Sequence, residues 1–347
     1  MENYPKVGVC VPTYNGAKYI KDCIESILAQ TYSNLDVLIV DDNSKDETME
    51  ILCDFAKRER RIRIVRNQKN LGLVQNWNRC VELSEGEWIK FLFQDDLLAP
   101  ACIEEFINAC QPDTLFAVCR RKIIFEKDAE SLQSIYNTYI DKLNVDSIFQ
   151  GTTSISPETF KRTCLNYLER NFIGEPTAVF LHKDVFKKYG YFNPYLIQLC
   201  DFEFWLRIAI HVGFTYVPKE LATFRVHCDA ASSKHREGRA YRKDFLDPII
   251  LYHEFVFNPA YDPLRNWAIQ HFPKIKFKDL LIYKVREALL IAKSSRTGNG
   301  STDSIILSEW EEISQNFPCL LKLPTNGIPR ILHVIKKRWL RFLEAQI

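Results

Sequence analysis

The feature of the sequence that most constrains its fold is an alternation of strand-like and helix-like segments over residues 1–125. Four apolar runs have the length of buried β-strands, and the spacing of Ile20, Ile24 and Ile27 is typical of a helix between two of them. Strands that alternate with helices favour βαβ units. We therefore predict an α/β fold with a mostly parallel, Rossmann-like central sheet flanked by helices. The four runs are residues 7–11, 36–40, 61–65 and 88–93.

The rest of the chain divides into two regions. Residues 126–238 mix strand and helix patterns, whereas only helical patterns occur beyond residue 240. We place a domain boundary near residue 238, which separates an α/β domain of residues 1–238 from a helical C-terminal region of residues 239–347. Between residues 126 and 238 the patterns predict helices over 157–170 and 201–211, strands over 177–181 and 221–227, and a polar insertion over 127–154.

Composition and absent motifs exclude several classes of protein. The 347 residues carry 46 basic and 44 acidic side chains, so the chain lacks the basic field that nucleic-acid-binding proteins use. Glycine is scarce at 12 residues, and the sequence contains no Gly-rich phosphate loop, serine-hydrolase elbow or zinc-protease motif. The 11 cysteines include no C-x-x-C pair, which favours reduced, buried thiols in a cytosolic protein.

Two pairs of adjacent carboxylates follow predicted strands, Asp41–Asp42 and Asp95–Asp96. One such pair alone is most often a turn or a helix N-cap. Because the carboxyl ends of neighbouring parallel strands meet at one edge of a sheet, we expect both pairs at the same crevice. Like charges raise each other's pKa there unless a cation intervenes. A divalent metal, Mn²⁺ or Mg²⁺, that also bridges a diphosphate would resolve this repulsion.

Eight short segments within residues 5–235 resemble, in order and spacing, those of the family 2 glycosyltransferases with the GT-A fold. Each segment alone is a weak signal, and their succession carries the resemblance. The segments are residues 9–15 (VCVPTYN), 27–32 (ILAQTY), 38–46 (LIVDDNSKD), 70–73 (NLGL), 91–96 (FLFQDD), 188–192 (KYGYF), 201–207 (DFEFWLR) and 224–227 (FRVH).

The resemblance implies an inverting, metal-dependent enzyme of the hexosyl- or N-acetylhexosaminyl-transferase type. Such an enzyme moves a sugar from a nucleotide-sugar, with a UDP-sugar favoured here, to a glycan or lipid-linked acceptor. The resemblance also implies a role in bacterial surface polysaccharide biosynthesis, such as that of O-antigen or capsule. The nucleotide-sugar half would be residues 1–125 and the acceptor half residues 126–238.

Matched residue by residue, the resemblance implies a nucleotide-sugar site at the ends of the first strands. Asp42 would accept a hydrogen bond from the base, and Asp41 would be structural. A loop would close over the nucleotide at Asn70 and Gly72. The residues that would line the base and ribose are Pro12, Thr13, Tyr14 and Asn15.

The resemblance places the metal at the second acidic pair. Asp96 would be the direct metal ligand and Asp95 would lie nearer the ribose. His227 would be a further metal ligand or a donor to the diphosphate. Gln94 also matches the donor site, but many members carry an acid at this position, so this chain offers fewer charges to a metal.

Asp201 matches the general base of the family, the group that removes the proton of the acceptor hydroxyl. The alternative is that Asp201 caps the helix predicted to follow it, where the helix N-terminus keeps a carboxylate ionised, and both roles can hold together. Cys200 stands where many relatives have Glu, a change that we expect to alter acceptor contacts or the local pKa rather than to remove the base. Glu203 is the next candidate for the base.

The last segment of the chain predicts a basic amphipathic helix over residues 329–345, with Trp339 on its apolar stripe. Such a helix favours contact with a membrane surface, and docking on the catalytic domain is an equal alternative. No secretory leader and no apolar run long enough to span a membrane are present in the sequence. We therefore predict a cytoplasmic protein, peripheral at the inner face of the membrane if this helix binds lipid.

Two other function classes stay open at this point. A sugar-phosphate nucleotidyltransferase would need a loop rich in Gly and basic residues near residues 12–17, where the sequence is PTYNGA. A non-catalytic nucleotide-sugar-binding protein is conceivable because Gln94 and Cys200 replace acids.

Overall fold

The computed structural model describes residues 4–134, 136, 143–228, 242–273, 275–295 and 301–324. The chain divides into two compact units, each assembled from three segments. The predicted boundary near residue 238 lies outside the described residues and stays a prediction. The first unit consists of Met1–Phe160, Arg170–Pro194 and Cys200–Ala230, and the second of Lys161–Glu169, Tyr195–Leu199 and Ala231–Ile347.

A single mixed sheet organises the first unit. Its strands are β1 (Val7–Thr13), β2 (Leu35–Asp41), β3 (Ile62–Arg66), β4 (Trp88–Phe91), β5 (Leu97–Leu98), β6 (Phe116–Phe125), β7 (Ser154–Ile155), β8 (Val179–His182) and β9 (Phe214–Val226). Their order is β3-β2-β1-β4-β8-β6-β9-β5, with β7 beside β9. Strands β3, β2, β1 and β4 are mutually parallel, and β6 runs parallel to β9. The shorter pairings, such as β4 with β8, are antiparallel.

Twelve α-helices lie in the described part of the chain, besides short 3₁₀ and π-helical turns. The helices are α1 (Ile20–Leu28), α2 (Thr48–Arg58), α3 (Leu73–Leu83), α4 (Cys102–Ala109), α5 (Val145–Phe149), α6 (Pro157–Cys164), α7 (Asp184–Tyr189), α8 (Cys200–Val212), α9 (Asp247–Phe257), α10 (Asp262–His271), α11 (Phe277–Ser295) and α12 (Ser301–Asn316).

The predicted α/β class and mostly parallel sheet are confirmed. Strand β1 is buried along its whole length, as expected for a central strand covered on both faces. On α1, the predicted stripe of Ile20, Ile24 and Ile27 is fully buried in the core that this sheet shares with its helices. Because the four parallel strands end at the same edge, the residues that follow them are brought together there.

The sequence patterns missed one long strand and half of another. Strand β6 and the first half of β9 were not predicted, because charged residues and a proline interrupt their apolar runs. Arg120 and Arg121 do so in β6, at the point where its pairing with β9 shifts register twice. Pro218 and Lys219 do so in β9. Strand β4 is also shorter than predicted and ends at Phe91, ahead of the turn that carries the acidic pair.

The regular elements among the described residues of the second unit are all helices, and the prediction of C-terminal helices is confirmed. A buried carboxylate anchors one of its segments. Asp247 Oδ2 accepts hydrogen bonds from the backbone N–H groups of Ile197 (3.0 Å), Gln198 (2.5 Å) and Leu199 (3.1 Å). Arg242 Nε donates to the other oxygen at 3.0 Å.

Within the described residues, no helix is both long enough and apolar enough to cross a bilayer. The basic amphipathic segment predicted at 329–345 lies outside those residues, and its contact with a membrane or with the catalytic domain stays a prediction.

Candidate active site

The end of strand β1 is tied to the turn after β4 by one amide side chain. Gln94 Oε1 accepts hydrogen bonds from Thr13 Oγ1 (2.5 Å) and from Tyr14 N (2.9 Å), and Gln94 Nε2 donates to Tyr14 O (3.2 Å). Pro12 is buried within β1, whereas the Tyr14 side chain is 45% exposed. Asn15 has a positive φ of 49°. Gln94 therefore fixes this loop and leaves the ring of Tyr14 facing solvent.

The two carboxylates at the end of β2 both accept hydrogen bonds from other groups of the protein. Asp41 is fully buried, accepts a hydrogen bond from Ser44 N (3.1 Å) and lies 3.3 Å from Arg66 Nε. Asp42 is also buried, and its Oδ1 accepts from Asn67 Nδ2 at 2.9 Å. We name this pair, Asp41 and Asp42, the closed acidic end.

Asp42 also shapes the predicted nucleotide loop at residues 70–72. Its Oδ1 accepts from Leu71 N (2.8 Å), its Oδ2 accepts from Gly72 N (2.9 Å), and its backbone carbonyl accepts from Asn70 Nδ2 (3.2 Å). Gly72 has a φ of 86°, a conformation that favours glycine. The structure thus brings Asp42, Asn70 and Gly72 together.

The residues after β4 place a carboxylate beside an imidazole. Asp95 Oδ2 lies 3.0 Å from His227 Nε2, and the Asp95 side chain is partly exposed. The ring of Tyr19 packs on His227 with a centroid separation of 4.6 Å, and the Arg225 guanidinium lies 4.9 Å from that ring. His227 Nδ1 is buried, with no hydrogen-bond partner among the described residues. Asp95 is therefore partly exposed beside His227. We name these two residues the donor pair, because the carboxylate oxygen and the imidazole nitrogen can each donate an electron pair to a metal ion.

Asp96 has a different environment from its neighbour. It is fully buried, and its carboxylate accepts hydrogen bonds from Thr177 Oγ1 (2.5 Å) and Arg225 N (3.0 Å). Burial raises the pKa of Asp96 well above its usual range, and the charge of Asp95 raises it further. The resemblance implies that Asp96 is the metal ligand, and this stays a prediction. These contacts favour the reverse division of roles, with Asp95 facing the metal.

Asp201 lies in the first turn of α8, which begins at Cys200. It is half-buried, and its Oδ1 accepts from Phe202 N (2.6 Å) while its Oδ2 accepts from Asn171 Nδ2 (3.0 Å). Burial raises the pKa of the Asp201 carboxyl to about 7, although the Phe202 N–H bond lowers it. The helix N-terminus therefore does not hold this carboxylate ionised in the acidic range, because burial outweighs its effect.

A segment that the sequence patterns did not single out, residues 171–177, contacts both acids. Thr177 Oγ1 at one end donates to Asp96, and Asn171 Nδ2 at the other donates to Asp201. Glu175, between them, is close enough to raise the pKa of each of these two carboxyls. This segment therefore links the base predicted in α8 to the acidic turn after β4.

Glu175 is held by an ion pair with Arg121 of β6, whose Nε lies 2.5 Å from Glu175 Oε2. The available sequence signal was the pair of turn residues Gly174 and Pro176, which come just before the predicted strand at 177–181. A polar turn that leads into a sheet strand is a frequent place for functional side chains.

Glu203, the next candidate for the base, is occupied by a structural contact. It is fully buried, and Arg207 holds its carboxylate through two hydrogen bonds of 2.9 Å. Arg207 Nη2 also donates to Tyr191 O at 2.7 Å. Of the two acids on this helix turn, only Asp201 is partly exposed.

No group of three His, Cys, Asp or Glu side chains in the described part of the chain is arranged to hold a metal ion. Asp95 and His227 thus supply two donors, and a bound ion would need further ligands from substrate or water.

Comparison with known proteins identifies the architecture that carries this site. Among solved structures, the first 349 residues of Staphylococcus aureus TarS in complex with UDP-GlcNAc match with a TM-score of 0.58 and 16% identity, over 91% of this chain and 90% of that one. A mannosyltransferase from Pyrobaculum calidifontis, in complex with GDP-Man and Mn²⁺, matches with a TM-score of 0.52 and 18% identity, over 90% and 81% of the two chains. These matches confirm the GT-A fold.

Sequence comparison agrees with the fold. An uncharacterized glycosyltransferase of Haemophilus influenzae is 27% identical over 257 residues, which are 73% of this chain and 76% of the relative. The model of the family described as glycosyl transferase family 2 matches residues 8–190, more than half of the chain and the region that holds both acidic strand ends. The chain therefore belongs to glycosyl transferase family 2.

Proposed function

We propose that this glycosyltransferase transfers a hexose or N-acetylhexosamine from a UDP-sugar to a hydroxyl of a glycan or lipid-linked acceptor, with inversion, in surface polysaccharide biosynthesis. The observation that carries the proposal is Asp201, a half-buried carboxyl with a pKa of about 7 that residues 171–177 join to the acidic turn after β4. A related fold in complex with UDP-GlcNAc supports the donor class.

Asp201 supplies what this reaction needs from the protein. A sugar hydroxyl is a weak nucleophile, and removal of its proton as the new bond forms accelerates attack by about 10²–10⁴-fold. A base works best when its pKa lies near the working pH, and burial places Asp201 there. The acceptor oxygen would attack the anomeric carbon from the side opposite the departing diphosphate, and its proton would pass to the Asp201 carboxylate. A single displacement of this kind inverts the anomeric centre.

The nucleotide would bind at the ends of β1 and β2. The exposed ring of Tyr14 offers a surface for the base, and Thr13 and Asn15 flank it beside buried Pro12. Asp42 would act through the loop at residues 70–72, because its carboxylate oxygens already accept hydrogen bonds from Leu71 and Gly72.

The donor pair could supply two ligands to a divalent ion whose remaining ligands come from the substrate and from water. Asp95 and His227 offer one carboxylate and one imidazole 3.0 Å apart, a set suited to Mn²⁺ with phosphate oxygens and water completing its coordination. When bound, the ion would neutralise charge on the diphosphate as it leaves. Asp96 would support the pair from within the fold through Thr177 and Arg225.

A thermal-unfolding screen tests the donor class. UDP with Mn²⁺ should stabilise the protein more than ADP with Mn²⁺ at the same concentration. At 100 times its dissociation constant, UDP should add about 2.7 kcal/mol to the free energy of unfolding of the ligand-free protein. Addition of EDTA should reduce the UDP effect. Equal shifts with every nucleotide, or no response to EDTA, would contradict the nucleotide site as described.

Two further assays separate the alternative functions. A nucleotidyltransferase would release pyrophosphate from UTP and a sugar 1-phosphate, and we expect no such release. A non-catalytic binding protein would bind UDP but never release it from a UDP-sugar, whatever acceptor is present.

A further inference from the structure

A tight turn at residues 171–174 lies against the first turn of α8. Asn171 Oδ1 accepts hydrogen bonds from Ile173 N (3.1 Å) and Gly174 N (2.9 Å), and Asn171 Nδ2 donates to Gly174 O (3.1 Å) and to Asp201 Oδ2 (3.0 Å). The side chain thus closes its own turn and contacts the carboxylate with the same amide.

These contacts determine which way the amide faces. Two backbone N–H groups point at one end of the Asn171 amide, so that end must be the oxygen. The NH₂ group is therefore directed at Asp201, where a carboxylate oxygen accepts it in either protonation state but more strongly when ionised.

The turn itself is held in place from two sides. Trp205 Nε1, one turn further along α8, donates to Gly174 O at 3.0 Å. Gly174 has a φ of 119°, and a Cβ there would lie 2.8 Å from Arg121 Nη1. Only glycine suits this position, and the anchored turn gives Asn171 a fixed position beside Asp201.

The charged groups that act on Asp201 oppose one another. Glu175, which follows the turn, raises the pKa of the Asp201 carboxyl, and Arg121 on β6 lowers it. Arg121 and Glu175 form an ion pair with each other, and the effect of Glu175 on the pKa of Asp201 is the larger of the two. Phe202 N–H and Asn171 Nδ2 donate directly to the carboxylate, and the backbone N–H of Asp201 itself also lowers the pKa of this carboxyl.

We propose that Asn171 is a positioning residue that orients the Asp201 carboxylate toward the acceptor hydroxyl and stabilises its ionised form. This inference rests on the proposed function, in which Asp201 is the base. Asn171 itself touches no reacting atom in this account.

The principal test is the pH dependence of kcat/KM for UDP-sugar turnover in Asn171→Ser. Serine can still accept the turn N–H bonds but cannot reach Asp201 with a donor. We expect the acidic limb of the profile to move up by about one pH unit, since a hydrogen bond to a charged group has been removed. Activity at pH 6 should therefore fall about tenfold relative to wild type, and activity at pH 9 should change less than twofold.

Asn78→Ala provides the matched control. Asn78 makes two hydrogen bonds with the Phe192 backbone, at 2.9 and 3.0 Å, and has no contact with Asp201. Its loss should change activity by the same factor at every pH. An Asn171→Ser profile of that uniform kind would show a merely structural role and overturn the proposal.

A second measurement does not depend on activity. In protein labelled with ¹³C-carboxyl aspartate, the Asp201 resonance is identified as the one lost in Asp201→Asn, and its titration is followed in wild type and in Asn171→Ala. A pKa about one unit higher in the variant supports the proposal, and an unchanged pKa overturns it. If wild type shows no sugar transfer, the proposed function fails, while this titration still decides whether Asn171 stabilises the Asp201 charge.

Discussion

The two acidic strand ends of this protein look alike in sequence and differ in structure. At the closed acidic end, Asp41 and Asp42 are buried, and donors from Ser44, Asn67, Leu71 and Gly72 fill their oxygens. The two carboxylates after β4 have different environments. Asp96 is buried and accepts hydrogen bonds from Thr177 and Arg225, whereas Asp95 is partly exposed and faces His227.

We name Asp95, His227 and Asp201 the open acidic site. The difference between the two regions is the exposure of their carboxylates, since Asp41 and Asp42 are buried whereas Asp95 and Asp201 are partly exposed. A buried carboxylate that accepts backbone hydrogen bonds organises loops, whereas a partly exposed carboxylate can contact a substrate or an ion. The predictions below follow from this distinction.

The largest effect is expected at Asp201. Asp201→Asn keeps the size of the side chain but removes the base, so sugar transfer should fall by about 10²–10⁴-fold with little change in UDP affinity. Glu203→Gln is the matched control on the same helix turn. Loss of its buried pair with Arg207 should lower stability by about 3–5 kcal/mol and leave turnover of the folded fraction near wild type. The reverse pattern would move the base to Glu203.

The pH dependence of transfer should be the next largest effect. Because the base must be ionised and the pKa of Asp201 lies at about 7, kcat/KM should rise about tenfold per pH unit up to that value and level off above it. The same group destabilises the fold as pH rises from its unfolded pKa toward 7, since the folded state binds the proton more tightly. A rate profile that is flat between pH 5 and 8 would assign the base to a group with an ordinary carboxyl pKa.

A paired substitution after β4 separates the roles of two adjacent acids. Asp95→Ala should remove the Mn²⁺-dependent part of UDP binding and lower the stability of the free protein less than Asp96→Ala does, because the Asp95 side chain is partly exposed. Asp96→Ala should lower that stability by about 1–3 kcal/mol, because the Thr177 hydroxyl and the Arg225 N–H lose their acceptor. Calorimetric UDP titrations with Mn²⁺ or EDTA, together with thermal unfolding, measure both. If Asp96→Ala instead abolished metal-dependent binding in a stable protein, the division of roles implied by the family resemblance would be correct.

The smallest effect is expected at the closed acidic end. Asp42→Asn places an NH₂ group against backbone N–H donors, so it should cost about 1–3 kcal/mol of stability and weaken UDP binding through the loop at residues 70–72. Unfolding in urea with and without UDP separates the two contributions. Full stability with greatly weakened UDP binding would instead show that Asp42 contacts the base directly.

Sequence patterns predicted the parallel half of the sheet because its strands are continuous apolar runs. They also predicted which strand ends carry acids, since those acids interrupt the runs. They could not distinguish Asp95 from Asp96, because burial and hydrogen bonding depend on Thr177 and Arg225, which lie about 80 and 130 residues away in sequence. For the same reason Asn171, 30 residues from Asp201, gave no signal.

The most direct test of the central claim, a single displacement assisted by Asp201, is the anomeric configuration of the product. UDP-glucose, UDP-galactose and their N-acetylated forms, all α-linked, are incubated with Mn²⁺ and a panel of methyl glycosides at high concentration, and the products are examined by proton NMR. The account predicts a β-linked product from the donor that reacts and none with Asp201→Asn. An α-linked product, or equal turnover by Asp201→Asn, would contradict it.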